Sequence, residues 1–438
     1  MGLDIAIVGS GIAGLSAAWY LGNRHRITMF EKANALGMGH KGKEVDTKLG
    51  KIWMDIPPRV TNKDHYSALF ELLEEADIDT YVIKQQASFN MLGGDTYLAF
   101  DTINSKRTSI SFPKPNLTSA RWLKQHAKDL VRFYHSLWIK APKPELNQKA
   151  LGTYLQEKGY HSDFIYGFLY PMWGLMCTCS YDELNRFPAN DMINLFKSFT
   201  SQAKSRRIAG GTAAFQNKLK NRIHHCYLDD EVKEIQQQGK QIKIRTTKGE
   251  NLFDHVIVAT EPAYAAPMLK GFEKDREAIE SVPSINTEMV LHTDKGLMPK
   301  RKSQWGPVNL FWDQKGHDST ATLWMNQLEQ AEISQDVFQT WNPIVEPASE
   351  TILARKMFKR TLVTHKSAKA ICNLRNMMET DLNRRIWYVG SYTVPGIPLL
   401  ENGVKSAQLV EDLIEAPRQQ KPTEKIRKHG ESRKNLSI

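Results

Sequence analysis

Leu3-Asp4-Ile5-Ala6-Ile7-Val8-Gly9-Ser10-Gly11-Ile12-Ala13-Gly14, continuing into Leu15-Ser16-Ala17-Ala18-Trp19-Tyr20-Leu21, reads as an apolar strand that turns through three glycines into a helix. A second apolar strand, Ile27-Thr28-Met29-Phe30, ends at Glu31. Each part has a physical task in a βαβ dinucleotide site. Gly9 permits the tight turn, Gly11 lets backbone approach a pyrophosphate, and Gly14 lets the helix pack closely on the strand. The helix N-terminus offers free N–H groups and the positive end of its dipole to phosphate. Glu31 stands where an acid can accept the ribose hydroxyls of an adenosine. An ordinary glycine turn between strand and helix would account for the three glycines but not for the acid.

The residues just past Glu31 bear on which dinucleotide is held. Lys32-Ala33-Asn34-Ala35-Leu36-Gly37-Met38-Gly39-His40 resembles the stretch after the ribose-binding Glu in the flavoprotein superfamily of amine oxidases and phytoene-type desaturases. There the acid is succeeded by a Leu-Gly-Gly-Arg or Leu-Gly-Gly-His turn that runs beneath the flavin's phosphate and ribityl chain. In this chain Met38 takes the place of the second glycine. Further on, Asp229-Asp230-Glu231-Val232-Lys233-Glu234-Ile235 and Ile242-Lys243-Ile244-Arg245-Thr246-Thr247 read as two strands joined by a polar turn around Gly239, with Val256-Ile257-Val258-Ala259-Thr260 after them. Near the C-terminus, Ile386-Trp387-Tyr388-Val389-Gly390-Ser391 precedes Glu401-Asn402-Gly403-Val404-Lys405-Ser406-Ala407. This pair is similar to the last flavin-binding motif of the superfamily, although Ser391 or Tyr392 stands where most relatives carry an acid. Three further stretches resemble a bacterial branch described as NAD/FAD-binding or amine-oxidase-like: residues 159–173, Arg207 to Thr212, and Met289 to Asp294 with Leu297-Met298-Pro299.

The resemblance covers residues 1–415 and implies an α/β protein. Its parts would be a Rossmann-type, glutathione-reductase-like FAD-binding domain and an interleaved α+β substrate or cap domain. The FAD domain is expected from 1–75, 205–270 and 380–415, and the cap from 76–204 and 271–379. The implied FAD contacts are Gly9, Ser10, Gly11, Ile12, Ala13, Gly14, Glu31, Lys32, Gly39, His40, Gly211, Val232, Thr260, Gly390, Gly403 and Val404. No cysteine lies in the Gly390 motif, where some relatives attach flavin covalently, so the FAD is expected to be non-covalent.

A flavin oxidoreductase needs little side-chain chemistry, because the cofactor accepts the hydride and the protein supplies orientation and electrostatics. The absence of a recognisable nucleophile or triad is therefore expected. Tyr392 is a candidate wall of an aromatic cage, the alternative being a packed strand-end aromatic. His40 and His292 are candidate acid/base groups, against the commoner structural role of a single histidine. Tyr166, Phe168, Tyr170 and Trp173 could line an apolar cavity or simply pack. Two function classes result: an FAD-dependent oxidoreductase acting on an apolar, lipid-like or amine-bearing substrate by C–H or C–N oxidation, or a non-catalytic escort on the same fold. The intact Gly9, Gly11, Gly14 and Glu31 set favours the first.

The 438 residues suggest two domains, and 41% hydrophobic with 24% charged residues suits a soluble globular chain. No apolar run is long enough to span a membrane. The first strand begins at once, without a signal peptide, so a cytoplasmic location is expected. Cys177, Cys179, Cys226 and Cys372 lack zinc spacing, and no metal site is expected. The Cys177-Thr178-Cys179 pair reads as reduced core or pocket thiols, with a redox role as the alternative. The formal net charge is +11. Residues 416–438 form a basic tail with almost no core-forming residues, expected to be disordered, and a candidate contact for an anionic membrane at the inner face. Arg121 to Lys140 is a second basic stretch with apolar groups at helical spacing, either a cap helix or an interfacial one. No nucleic-acid module accompanies the charge, and no nucleic-acid partner is expected.

Overall fold

The computed structural model describes residues 2–37, 42–105, 109–138, 149–199, 203–316 and 318–416. Strand β1 (Asp4–Val8) is almost wholly apolar and feeds helix α1 (Ile12–Leu21). Nine of the ten α1 residues are buried, so small side chains such as Ala13, Gly14, Ala17 and Ala18 are what let it sit tightly between layers. Strand β2 (Arg26–Phe30) then pairs parallel to β1. The chain returns to this sheet as β3 (His225–Tyr227), β4 (His255–Val258) and β5 (Ile386–Tyr388), giving the spatial order β3-β2-β1-β4-β5. Every pairing in it is parallel. The continuous apolar runs of β1, β4 and β5 are what a sheet covered on both faces requires. The order reverses at β1, and the crevice beyond the strand C-termini at such a switch point is where doubly wound sheets bind ligands.

Beside this unit, Val232–Gln238 and Gln241–Thr246 form an antiparallel pair across the Gly239 turn, within a four-stranded sheet. A separate eight-stranded sheet runs in the order Ile352–Thr361, Ser284–His292, Phe338–Trp341, Asp318–Trp324, Val308–Asp313, Ala87–Met91, Thr96–Asn104 and Ser109–Pro113. Only the Val308–Asp313 and Ala87–Met91 pair is parallel. The chain is thus an α/β protein with a Rossmann-like unit and a second, mostly antiparallel sheet overlaid by helices.

Helix α2 (Ser67–Glu75) has no side-chain cap at its own Tyr66. The cap comes from Glu401 in the first turn of a distant helix, Leu400–Glu415. Its carboxylate accepts from Ala68 N at 3.0 Å, Leu69 N at 3.1 Å and Ser67 Oγ at 3.2 Å. Helix α3 (Leu117–Trp138) turns Trp122, Phe133 and Leu137 into a core shared with Phe164, Phe168, Trp173 and Phe196. These residues are committed to the protein interior, although Val131 is exposed, which favours the cap-helix reading of the basic stretch over the interfacial one. Helix α4 (Gly211–Leu219) opens directly after Gly210, and α5 (Leu400–Glu415) packs along α1. Among the described residues no helix is long and apolar enough to cross a membrane. The basic tail beyond Ala416 lies outside the described residues.

Candidate cofactor and substrate cavity

A cavity of about 1080 Å³ opens at the C-terminal edge of the parallel sheet and continues to the eight-stranded sheet. It exceeds the roughly 300–1000 Å³ of a typical single-ligand pocket. Gly11, Ile12, Ala13, Glu31, Lys32, Ala33 and Gly37 form one end.

The glycines at that end are not equivalent. Gly9 has φ +102, and a Cβ there would meet Ala259 O at 2.8 Å. A Cβ on Gly14 would lie 2.1 Å from Gly9 O, so this glycine is what lets α1 approach the turn. A Cβ on Gly11 would meet nothing within 4 Å. The space beside Gly11 is cavity, which is the arrangement a closely approaching phosphate requires. Helix α1 has no side-chain cap and no acidic residue in its first turn, leaving its positive end unneutralised.

Glu31 braces this turn. Its Oε2 accepts from Ser10 N at 3.1 Å and Ser10 Oγ at 2.6 Å, and its Oε1 accepts from Ala33 N at 2.9 Å. Three of the roughly four acceptor positions of a carboxylate are taken, leaving one for a ligand hydroxyl. Ser10 Oγ also accepts from Gly37 N at 2.6 Å, tying the second glycine turn to the first. Lys32 Nζ sits 3.7 Å from the centroid of the Tyr264 ring, another cavity residue. Gly39 and His40 lie outside the described residues.

Along the middle of the cavity come Thr260, Glu261, Gly390, Ser391, Tyr392, Leu399 and Leu400. Thr260 Oγ1 is buried with no hydrogen-bond partner, and Tyr392 donates to Thr260 O at 3.3 Å. Burial pushes the Tyr392 phenol well up, so it stays neutral. The other expected residues have local duties instead of cavity contacts. Gly403 packs on α1, where a Cβ would meet Ile12 Cγ2 at 2.8 Å, and Val404 is fully buried in the core. Gly211, at φ +65, admits the carboxylate of Asp55, which accepts from Thr212 N at 2.8 Å and from Thr212 Oγ1 at the head of α4. Val232 is buried beside the Glu31 strand end, where Asp230 N donates to Glu31 O.

The far end is apolar, with Phe89, Phe100, Phe168, Met172, Met176, Phe196 and Trp341 in its wall. Of the four aromatics singled out from sequence, Phe168 lines it; Tyr170 and Trp173 are core residues packed behind. Cys177 and Cys179 are buried free thiols next to the cavity residue Thr178, and their mutual hydrogen bond and burial push the Cys179 thiol up. A thiolate nucleophile is disfavoured there.

His292 lies away from the cavity. It is fully buried at the end of Ser284–His292, 2.7 Å from Thr340 Oγ1 through Nε2, and accepts from Asp294 N through Nδ1. Burial pushes its imidazole down to about 4. The Nε2 contact ties this strand to Phe338–Trp341, the Nδ1 contact fixes the turn after it, and both ring nitrogens are thereby engaged. Elsewhere, His126, His161 and Asp163 place one ligand atom each within 4.8 Å of one another, and none of the three lines the cavity.

Sequence reasoning missed two arginines. Arg59 stands just after Ile56-Pro57-Pro58 and Arg360 lies near the end of Ile352–Thr361; both line the cavity. Burial, reinforced by the Arg360 charge, pushes Arg59 down to about 10, and burial lowers Arg360 as well. Both remain cations at neutral pH. The only local signal was an Asp55 and an Arg59 interrupting the apolar run from Ile52 to Val60.

The parallel sheet, glycine turn, braced acid and uncapped helix are the parts of a Rossmann-like domain. Residues 7–76 match the family model described as an NAD(P)-binding Rossmann-like domain. No curated protein matches the chain by sequence. Among solved structures, a protein provisionally assigned as a protoporphyrinogen oxidase from Exiguobacterium sp. 255-15 is similar with TM-score 0.67 and 15% identity, over 94% of this chain and 99% of that one. Cyclohexylamine oxidase from Brevibacterium oxydans IH-35A gives 0.63 and 13%, over 95% and 100%. A CLA-producing fatty acid isomerase from P. acnes gives 0.62 and 14%, over 94% and 98%. The chain shares the fold of these solved proteins along nearly its whole length.

Proposed function

We propose that this protein is an FAD-dependent oxidoreductase that oxidises an apolar small molecule. The observation that carries the reading is the continuity of one cavity from the Gly11 and Glu31 turn, past Gly390 and Tyr392, to the apolar wall of Phe89, Phe168 and Phe196. Such a space suits a dinucleotide at one end and an apolar partner at the other.

The backbone of Gly11 to Ala13 and the N-terminus of α1 would hold the cofactor's pyrophosphate, and Glu31 would accept a ribose hydroxyl. The unpartnered Thr260 Oγ1 offers a further hydrogen bond inside the cavity. The segment after Gly390 and the first turn of α5 would flank the redox-active ring system. When bound, FAD supplies hydride acceptance, which explains why no nucleophile is required of the chain. The phenylalanines and methionines of the far end exclude water and orient an apolar substrate by shape. Tyr392, held neutral by burial and fixed to Thr260 O, serves as a rigid wall and not as a base. No cysteine lies in the Gly390 segment, which supports a non-covalent cofactor.

Anaerobic addition of candidate apolar substrates to the purified protein tests this reading. Turnover should bleach the flavin absorbance, and the oxidised product should accumulate to one equivalent. Bound flavin that dithionite reduces but no compound from an apolar or amine library bleaches would favour the non-catalytic alternative.

A further inference from the structure

Buried arginines elsewhere in this chain have acid partners. Arg207 Nη1 lies 2.6 Å from Glu329 Oε1, and Arg384 Nη2 lies 2.5 Å from Asp275 Oδ2. Arg59 and Arg360, half-buried in the cavity wall, have none among the described residues. The Nε of each is buried without a hydrogen-bond partner, and neither makes an ion pair among the described residues. They come from segments far apart in the chain yet open on the same cavity, near enough for the charge of one to act on the other. The acids nearest them are engaged elsewhere: Asp55 holds Thr212, and Glu261 accepts from Thr361 Oγ1 at 3.1 Å.

An unpaired guanidinium withdrawn from water costs free energy unless something pairs with it. Two of them facing one cavity cost more, and their shared purpose must be an anion that enters from outside. The planar five-donor fork of arginine suits a carboxylate. Cofactor phosphates have their own site at α1, beside Gly11. The arginines instead border Tyr66 and the Trp341 ring, which lies 5.4 Å from the Arg360 guanidinium, and the apolar wall begins there. Basic side chains outnumber acidic ones five to two around the whole cavity, so a protonated amine is repelled.

We propose that Arg59 and Arg360 form a carboxylate-binding site, and that the substrate is an apolar acid whose chain lies along Phe89, Phe168, Met172 and Phe196. The proposal rests on the oxidoreductase reading in taking this cavity as the substrate's.

Decanoate, methyl decanoate and decylamine, titrated into the flavin-loaded full chain by calorimetry, provide the test. Decanoate should bind, and the ester and amine should bind at least about tenfold more weakly, as loss of a charge-assisted hydrogen bond implies. Arg59→Gln and Arg360→Gln should each weaken decanoate by about tenfold or more, with flavin content unchanged. Because each substitution removes a partly buried cation without an acid partner among the described residues, neither should lower Tm; a merely structural arginine would lower it. Decylamine binding as tightly as decanoate, unchanged decanoate affinity in both variants, or loss of flavin from both would overturn the proposal. A wild-type protein that binds decanoate but takes up no flavin would sink the oxidoreductase reading and leave the carboxylate site standing.

Discussion

Alanine at Gly11 and alanine at Gly14 should have opposite consequences, although both glycines belong to one turn. At Gly14 the new Cβ would sit 2.1 Å from Gly9 O, a backbone atom of the turn itself. Relief requires α1 to move off β1, and forced overpacking of this kind costs typically about 1–3 kcal/mol and occasionally more. The gain in helix propensity of up to about 1 kcal/mol does not offset it. At Gly11, φ −65 and ψ −178 are open to any residue, and the Cβ meets nothing within 4 Å. Losing a glycine N-cap is worth a few tenths of a kcal/mol, opposed by a similar entropic gain in the unfolded chain. Only a ligand would feel the added methyl. Flavin content per chain, from absorbance of the native protein, should fall sharply in Gly11→Ala. Melting must be compared on deflavinated samples, because a ligand at a thousand times its Kd adds about 4 kcal/mol. On that basis Gly11→Ala should melt within about 2 °C of wild type, and Gly14→Ala about 4 °C or more below. Full flavin occupancy in Gly11→Ala would mean that phosphate does not reach this turn. A deflavinated Gly11→Ala protein as unstable as Gly14→Ala would refute the assignment of open space to Gly11.

Glu31→Ala removes the acceptor for Ser10 N, Ser10 Oγ and Ala33 N as well as for a ribose hydroxyl. Flavin affinity should drop by about tenfold or more, with a small loss of Tm, and unchanged affinity by equilibrium dialysis would remove Glu31 from the site. His292 titrates at about 4 in the fold against 6.5 unfolded. The unfolded chain therefore binds the extra proton, so stability from this group is complete above pH 6.5 and is lost as pH falls towards 4. The loss should be on the order of 3 kcal/mol. Urea midpoints of wild type and His292→Gln should converge over that window, and parallel profiles would show that the imidazole is not buried neutral. A chain ending at Glu415 should fold and keep its flavin but sediment less with anionic liposomes at low salt, each basic residue contributing about 1 kcal/mol at such a surface. Equal sedimentation of both forms would reduce the tail to solvated charge.

The Rossmann-like unit was legible because its signals are local. An apolar run, three glycines and a strand-end acid specify β1, α1 and β2 within a few residues of their observed limits. Strand β3 carried no such signal: all three of its residues are exposed at a sheet edge. Ile352–Thr361 carries its basic residues as adjacent pairs, Arg355-Lys356 and Lys359-Arg360, which break the apolar alternation that marks a strand. In the cavity, the limit was distance in sequence. Glu401 capping α2, and Arg59 meeting Arg360, join residues hundreds of positions apart, and no spacing rule connects them. The resemblance implied Gly211 and Gly403 as cofactor contacts. Both are small for a protein neighbour, Asp55 in one case and Ile12 in the other.

The central claim is that this cavity holds FAD without a covalent bond. Acid denaturation of the freshly purified protein, with chromatography of the supernatant, tests it directly. The account predicts close to one equivalent of FAD per chain in the supernatant and none on the precipitated polypeptide. A colourless protein that releases no flavin, and acquires none on incubation with FAD, would contradict it.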